Sequence, residues 1–117
     1  MFKSAYLAFA LAGALAAGQC LSHAKLQSSI PADNGVLTQA PKILTLNFSE
    51  AAQLALLKLV RDGKEISIPV DKAAKASQSI TVTLPGLVPG KYTVHWSAMA
   101  ADDGHVTRGS FVFSIAG

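Results

Sequence analysis

The fold class follows from Ile43-Leu-Thr-Leu-Asn-Phe48, in which apolar residues occupy alternate positions from Leu44 onward. Leu44, Leu46 and Phe48 fall on one face of an extended chain, which is typical of a half-buried β-strand. Further segments with strand character are Lys25–Ser29, Leu54–Val60, Ile66–Val70, Ile80–Leu84, Tyr92–Trp96 and Phe111–Ile115. Their number and spacing predict an all-β sandwich of about seven strands.

Turn signals separate these segments. Asp62-Gly63 is a hairpin signal because both residues tolerate positive φ, and Pro31–Gly35 is a cluster of turn-forming residues. A helix is the alternative over Ala51–Val60 and Lys72–Ser77, where Ala, Leu, Lys and Gln dominate. The alternation of the other segments favours strands throughout the domain.

Composition limits the class of protein. A chain of 117 residues allows one domain, and 50% hydrophobic with 15% charged residues is too apolar for a disordered chain. The single cysteine, Cys20, excludes an internal disulfide framework and a cysteine-based zinc cluster. A net charge of +3 with no basic stripe argues against a nucleic-acid partner.

Residues 1–22 have the features of a secretory signal peptide rather than of the fold. Lys3 provides the positive charge, and Ala5–Ala17 is an apolar run of Ala, Leu, Gly, Tyr and Phe residues. This run is shorter than the ~20 apolar residues that span a bilayer, so no stable membrane insertion is expected. Export to the periplasm follows from this interpretation.

The expected cleavage point lies before His23. Cys20 and Ser22 are small enough for the −3 and −1 positions of a signal-peptidase site, which leaves 23–117 as the mature domain. Alternative cleavage points are after Ala16, after Gly18 and, as a lipoprotein, before Cys20. Cleavage before His23 would place a free amine and an imidazole on one residue, and the two could chelate a metal ion together.

A second group of metal-ligand residue types lies near the C-terminus. Asp103 and His105 flank Gly104, and residues two apart point the same way in an extended segment. Together with His23 they offer an amine, two imidazoles and a carboxylate. This set suits tetragonal Cu(II), which the Irving–Williams order also favours over zinc and nickel. One Cu(II) ion per chain is therefore expected.

The motifs together resemble the CopC family of periplasmic copper-binding proteins. They are His23-Ala-Lys-Leu-Gln-Ser-Ser-Ile-Pro31, Leu46-Asn-Phe-Ser-Glu50, Tyr92-Thr-Val-His-Trp96, Asp103-Gly-His105 and Gly109-Ser-Phe-Val-Phe113. The resemblance covers the whole mature chain. It implies an immunoglobulin-like Greek-key sandwich, and a Cu(II) site in which the amine and two imidazoles form a histidine brace.

The resemblance also implies site residues and a partner. The ligands would be His23, Asp103, His105 and, in some members of the family, Glu50. Asp102 is an alternative to Asp103, because the span from Trp96 to His105 is about one residue longer than the family pattern. The partner would be a CopD-type copper transporter of the inner membrane. The chain itself is expected to be a monomer.

Other features fit ordinary structural roles. His95 alternates with Tyr92, Val94 and Trp96, so we expect it on the opposite face of its strand, away from the core. The function expected is copper buffering or transport in resistance, homeostasis or uptake, without catalysis. The alternatives are a histidine-brace copper redox enzyme and a metal-free immunoglobulin-like interaction domain.

Overall fold

The computed structural model describes residues 24–117, and the regular secondary structure of this part is β-strand alone. The seven strands are β1 (Leu26–Ile30), β2 (Gly35–Leu37), β3 (Ile43–Arg61), β4 (Lys64–Ser67), β5 (Ser77–Thr83), β6 (Gly90–Ala100) and β7 (Val106–Ile115). No helix in the described residues is long and apolar enough to cross a membrane. The prediction of an all-β sandwich of about seven strands is confirmed.

Strand β3 belongs to both layers of the sandwich. Its first half pairs with β1 and β5, and its second half pairs with β6 and β4. The sequence predicted two strands here, at Ile43–Phe48 and Leu54–Val60, and that division is wrong. The stretch between them contains no Gly or Pro, so the backbone stays extended while the register shifts between Asn47 and Ala52.

Strands β6 and β7 form a hairpin that is longer than the sequence predicted. Their pairing runs without interruption from Gly90 opposite Ile115 to Met99 opposite Val106. The predicted segments, Tyr92–Trp96 and Phe111–Ile115, cover only part of these strands. The extension brings the connection between β6 and β7 to one end of the sandwich, where it carries the Asp-Gly-His motif.

Strand β2 was not predicted, since it follows directly on the turn cluster. Gly35–Leu37 pairs in parallel with Phe113–Ile115 at the C-terminal end of β7. The order β1-β3-β6-β7-β2 therefore has non-consecutive neighbours, and the connection from β2 to β3 crosses between the layers. Such crossing connections are typical of a Greek-key sandwich.

The core consists of the inward-facing residues of the alternating segments. Tyr92 stacks on Phe113 with ring centroids 5.3 Å apart, and Phe48 meets Trp96 edge-on, also at 5.3 Å. Burial of each such side chain contributes roughly 1.5–3 kcal/mol. His95 is half-buried and lies on the opposite face from the buried Tyr92, as predicted.

Candidate metal centre

The loop from Ala101 to His105 is closed by main-chain hydrogen bonds. The Ala100 N–H donates to the His105 carbonyl at 2.8 Å, and the Gly104 N–H donates to the Ala100 carbonyl at 3.0 Å. Gly104 has φ of +72°, in the left-handed region that favours glycine. The sharp reversal at Gly104 thus turns the chain back into β7 directly after the Asp-Gly-His motif.

Asp103 and His105, which the sequence predicted as partners, are in direct contact. One carboxylate oxygen of Asp103 accepts a hydrogen bond from the His105 N–H at 3.0 Å, and the other lies 3.1 Å from His105 Nδ1. The His105 side chain is 59% exposed and that of Asp103 is 32% exposed. Of the two neighbouring aspartates, it is Asp103 that makes this contact with the imidazole.

The contact is compatible with two modes of metal binding. In the tautomer that donates Nδ1–H to Asp103, the carboxylate orients the ring and Nε2 keeps the lone pair that binds a metal. Alternatively, both groups bind one ion. Two ligands at right angles on bonds of about 2.0–2.2 Å lie about 3 Å apart, close to the observed 3.1 Å between Nδ1 and Oδ2.

The start of the described chain is held beside this loop. The Thr107 hydroxyl donates to the carbonyl of the fully buried Ala24 at 2.8 Å. Lys25 forms a reciprocal pair with Ser49: its N–H donates to the Ser49 hydroxyl at 2.9 Å, and its carbonyl accepts from the Ser49 N–H at 2.8 Å. Ala24 is therefore hydrogen-bonded to Thr107, which follows His105 by two residues in the sequence.

Glu50 lies on β3 at the point where the strand changes layer. It is half-buried, and the carbonyl of the next residue, Ala51, accepts a hydrogen bond from the Ala101 N–H at 3.0 Å. The backbone next to Glu50 thus contacts the loop that carries Asp103 and His105. Within residues 24–117, however, no three His, Cys, Asp or Glu side chains form a group that could hold a metal ion.

The structure brings only some of the predicted ligands into contact with one another. Asp103 and His105 are together, and Glu50 lies on the neighbouring strand without joining them in a group of three. His23 lies outside the described residues. His95 is opposite Lys58 and Ser110 in the middle of its sheet, five residues before the end of β6.

The sequence did not predict the two residues that hold the start of the domain. Thr107 and Ser49 are 83 and 24 residues from their partners, Ala24 and Lys25. Hydroxyl side chains are common on exposed strand faces, so neither residue carries a local signal of this role. Only the folded arrangement of β1, β3 and β7 reveals it.

Comparisons with known proteins agree with this architecture. The CopC domain family model matches residues 26–116. Protein YobA of Escherichia coli (strain K12) is 34% identical over 104 residues, covering 80% of this chain and 79% of the relative. Copper resistance protein C of Xanthomonas campestris pv. juglandis is 33% identical over 119 residues, covering 90% of this chain and 89% of the relative.

A solved structure has the same fold. The crystal structure of CopC from Methylosinus trichosporium OB3b superimposes with a TM-score of 0.68 at 23% sequence identity, covering 80% of this chain and 94% of that one. The match to the family model takes in all seven strands and the loop with Asp103 and His105. The chain belongs to the CopC family.

Proposed function

We propose that this protein is exported to the periplasm, where it binds one Cu(II) ion per chain and buffers or carries copper. The role would lie in copper resistance, homeostasis or uptake. Membership of the CopC family supports the proposal, and one relative is named a copper resistance protein. In this account residues 1–22 are the signal peptide, and residues 23–117 are the mature, monomeric copper-binding domain.

The proposed site is a histidine brace completed by a carboxylate. Its ligands are the free amine and Nδ1 of His23, the imidazole of His105 and the carboxylate of Asp103. Glu50 is a further candidate, since its backbone neighbour contacts the same loop. Three nitrogens and one oxygen are the donors that tetragonal Cu(II) prefers.

The observation that carries the proposal is the double anchoring of Ala24 and Lys25. Ala24 is tied to Thr107, two residues after His105, and Lys25 is tied to Ser49, one residue before Glu50. These anchors support the inclusion of His23 in the proposed site, because His23 directly precedes Ala24 in the sequence and Ala24 is held at the end of the sandwich that carries Asp103 and His105.

Two features support binding rather than catalysis. Asp103 is within hydrogen-bond distance of His105, so as a ligand it would fill a coordination position that an oxygen-activating copper needs open. The five aromatic side chains of residues 24–117 are each 6% exposed or less, and only Trp96 and Phe111 border a surface groove. The five are Phe48, Tyr92, Trp96, Phe111 and Phe113. They offer no flat stacking surface for a polysaccharide. A copper redox enzyme would instead consume ascorbate and oxygen faster than free copper does.

The partner proposed is a CopD-type copper transporter of the inner membrane. Such a transporter would exchange copper with the end of the sandwich formed by the loop from Ala101 to His105. The exposed His105 side chain suits this exchange, because a buried ligand would require opening of the fold before copper could move. The direction of copper transfer follows from which of the two proteins binds the ion more tightly.

The test is a Cu(II) titration of the mature protein that begins at His23, followed by electron paramagnetic resonance and by urea unfolding. The proposal predicts one tightly bound equivalent with a tetragonal, nitrogen-rich spectrum. Free copper at 100 times the dissociation constant should raise the free energy of unfolding by about 2.7 kcal/mol. Binding no tighter than at a generic protein surface, with unchanged stability, would leave a metal-free interaction domain.

A further inference from the structure

An open groove runs along the sandwich beside the candidate metal centre. Its volume is about 690 Å³, and it lies between β1 on one side and the first half of β7 on the other. Trp96 and Phe111 contribute its apolar floor, while Ser28 and Ser110 are among the polar residues of its walls. This volume is within the range of about 300–1,000 Å³ for ligand sites in proteins.

The β7 wall of this groove is an unpaired sheet edge. In an antiparallel ladder, both main-chain groups of a residue point to the same side, and the side alternates along the strand. The N–H of Val112 donates to Asp33 Oδ1 at 2.9 Å and its carbonyl accepts from the Asn34 N–H at 2.6 Å, so both groups point away from β6. The pairing of β6 with β7 has no register shift, and the same groups of Ser110 and Arg108 therefore point away from β6 too.

The unpaired edge has defined ends. At one end the Thr107 hydroxyl binds Ala24, and at the other Asp33 and Asn34 bind Val112. Within residues 24–117, β7 pairs only with β6 and, beyond Val112, with β2. The gap from Thr107 to Val112 is about 17 Å at ~3.4 Å per residue, which is the length of a strand of about five residues.

The charges of the groove are unequal at its two ends. Lys25 and Arg108 lie at the end near Ala24, and no ion pair of the described residues includes either of them. At the opposite end, the carboxylate of Asp33 is engaged by the Val112 N–H. The end nearest the candidate metal centre therefore carries two cationic side chains that form no ion pair within the described residues.

We propose that this groove binds an extended, acidic peptide segment of a partner protein, which adds to the edge of β7 as a short strand. Main-chain hydrogen bonds to Arg108 and Ser110 would supply the affinity, and carboxylates of the partner would neutralise Lys25 and Arg108. Strand addition of this kind is a recurring mode of peptide recognition. The site does not require a bound metal, so it stands independently of the proposed copper binding.

The fluorescence of Trp96 can report binding in this groove. Trp96 is the single tryptophan of the sequence, and it lines the groove. It reaches the groove floor beside Gly109, where an added Cβ would lie 2.9 Å from the indole ring. A peptide in the groove should therefore change the tryptophan emission of the metal-free protein.

The experiment uses acetylated, amidated peptides. Each contains a six-residue segment of alternating Val and Thr, with two Asp residues added at each end. They are titrated in the presence of a chelator, with Trp96 fluorescence and amide NMR shifts as readouts. We expect saturable binding, with shifts concentrated at 107–111. Replacement of Asp by Lys in the peptide should weaken binding about tenfold, and N-methylation of alternate peptide amides should abolish it, because a methylated amide cannot pair with the edge.

Two protein variants test the same site. Ser110→Pro removes an N–H that points into the groove and is not used by β6, so it should weaken binding about tenfold with the hairpin intact. Arg108→Gln should weaken it severalfold, whereas Lys64→Gln, at the opposite hairpin, should have no effect. The proposal is overturned by the absence of saturable binding, by equal binding of the Lys or N-methylated peptides, or by dimers that form through this edge and are lost in Ser110→Pro.

Discussion

The dipeptide Asp-Gly occurs at two reversals of this molecule, with different outcomes. At Asp62-Gly63 both residues are left-handed, with φ of +53° and +77°, and they join β3 to β4 as a two-residue hairpin. The Asp62 carboxylate is 80% exposed and contacts its neighbour Arg61. This turn connects two strands, and its side chains point into solvent.

At Asp103-Gly104 only the glycine is left-handed, with φ of +72°, and the connection is three residues longer. The extra length lets the Asp103 side chain fold back onto His105, with which it forms two contacts. The difference between the turns lies in the number of residues between the strands and in the residue after the glycine, Lys64 in one and His105 in the other. A turn motif becomes a candidate metal centre when its carboxylate can reach an imidazole.

The largest effect is expected from His105→Ala. Loss of an imidazole ligand should lower the affinity for Cu(II) by more than 100-fold, since even partners that only orient a ligand contribute 10–100-fold. Because His105 is more than half exposed, the metal-free protein should lose less than about 0.5 kcal/mol of stability. Competition with a chromophoric chelator measures the affinity, and urea unfolding measures the stability.

The control for this variant is Lys64→Ala, which alters the equivalent position of the other turn. It should leave the affinity for Cu(II) unchanged. If His105→Ala greatly lowers the free energy of unfolding of the metal-free protein as well as the affinity for Cu(II), the histidine has a structural role.

A smaller effect is expected from Asp103→Asn. The amide oxygen still accepts a hydrogen bond from the His105 N–H, so the loop is kept while the charge is lost. Copper affinity should fall about 10–100-fold. Electron paramagnetic resonance then separates the two roles of Asp103, because a changed spectrum indicates a lost ligand and an unchanged spectrum indicates lost orientation of the ring.

Asp62→Asn is the matched control at the hairpin, where asparagine also tolerates positive φ. It should bind copper as the unaltered protein does. Equal losses of affinity in the two variants would show that the carboxylates act through overall charge rather than through contact with His105.

The smallest effect is expected from alanine at the two glycines. An added Cβ meets no atom within 4 Å at Gly63 or at Gly104, so the cost comes from the left-handed backbone alone. Each variant should lose about 1 kcal/mol of stability in urea unfolding. Only Gly104→Ala should also weaken copper binding, because it reshapes the loop that positions His105. If both variants weaken binding, the effect is a general loss of stability.

The same two turns show how much of the molecule can be predicted from sequence. Local signals predicted the hairpin at Asp62-Gly63 and the proximity of Asp103 to His105. The predicted reason for that proximity, an extended segment, was wrong, because the chain turns here with Gly104 in the left-handed region. Alternation also identified the buried faces around Phe48, Tyr92 and Phe113. These features arise from local conformation and from the period of a strand.

Features that depend on long-range pairing could not be predicted. The parallel pairing of β2 with β7 joins residues far apart in sequence, and the continuity of β3 depends on neighbours from both layers. The anchors of Ala24 and Lys25 are hydrogen bonds to hydroxyl side chains on other strands. The groove along β7 could not be predicted either, because it depends on which part of the β7 edge the other described strands leave unpaired.

In the proposed site, a free amine at His23 and the imidazole of His105 bind one Cu(II) ion together. The most direct measurement compares the Cu(II) affinity of the protein that begins at His23 with that of a protein carrying one additional glycine before it. The additional residue moves the amine off the chelate and leaves every residue of the fold unchanged. We expect a loss of affinity by orders of magnitude together with a changed resonance spectrum. Equal affinity and identical spectra in the two proteins would contradict it.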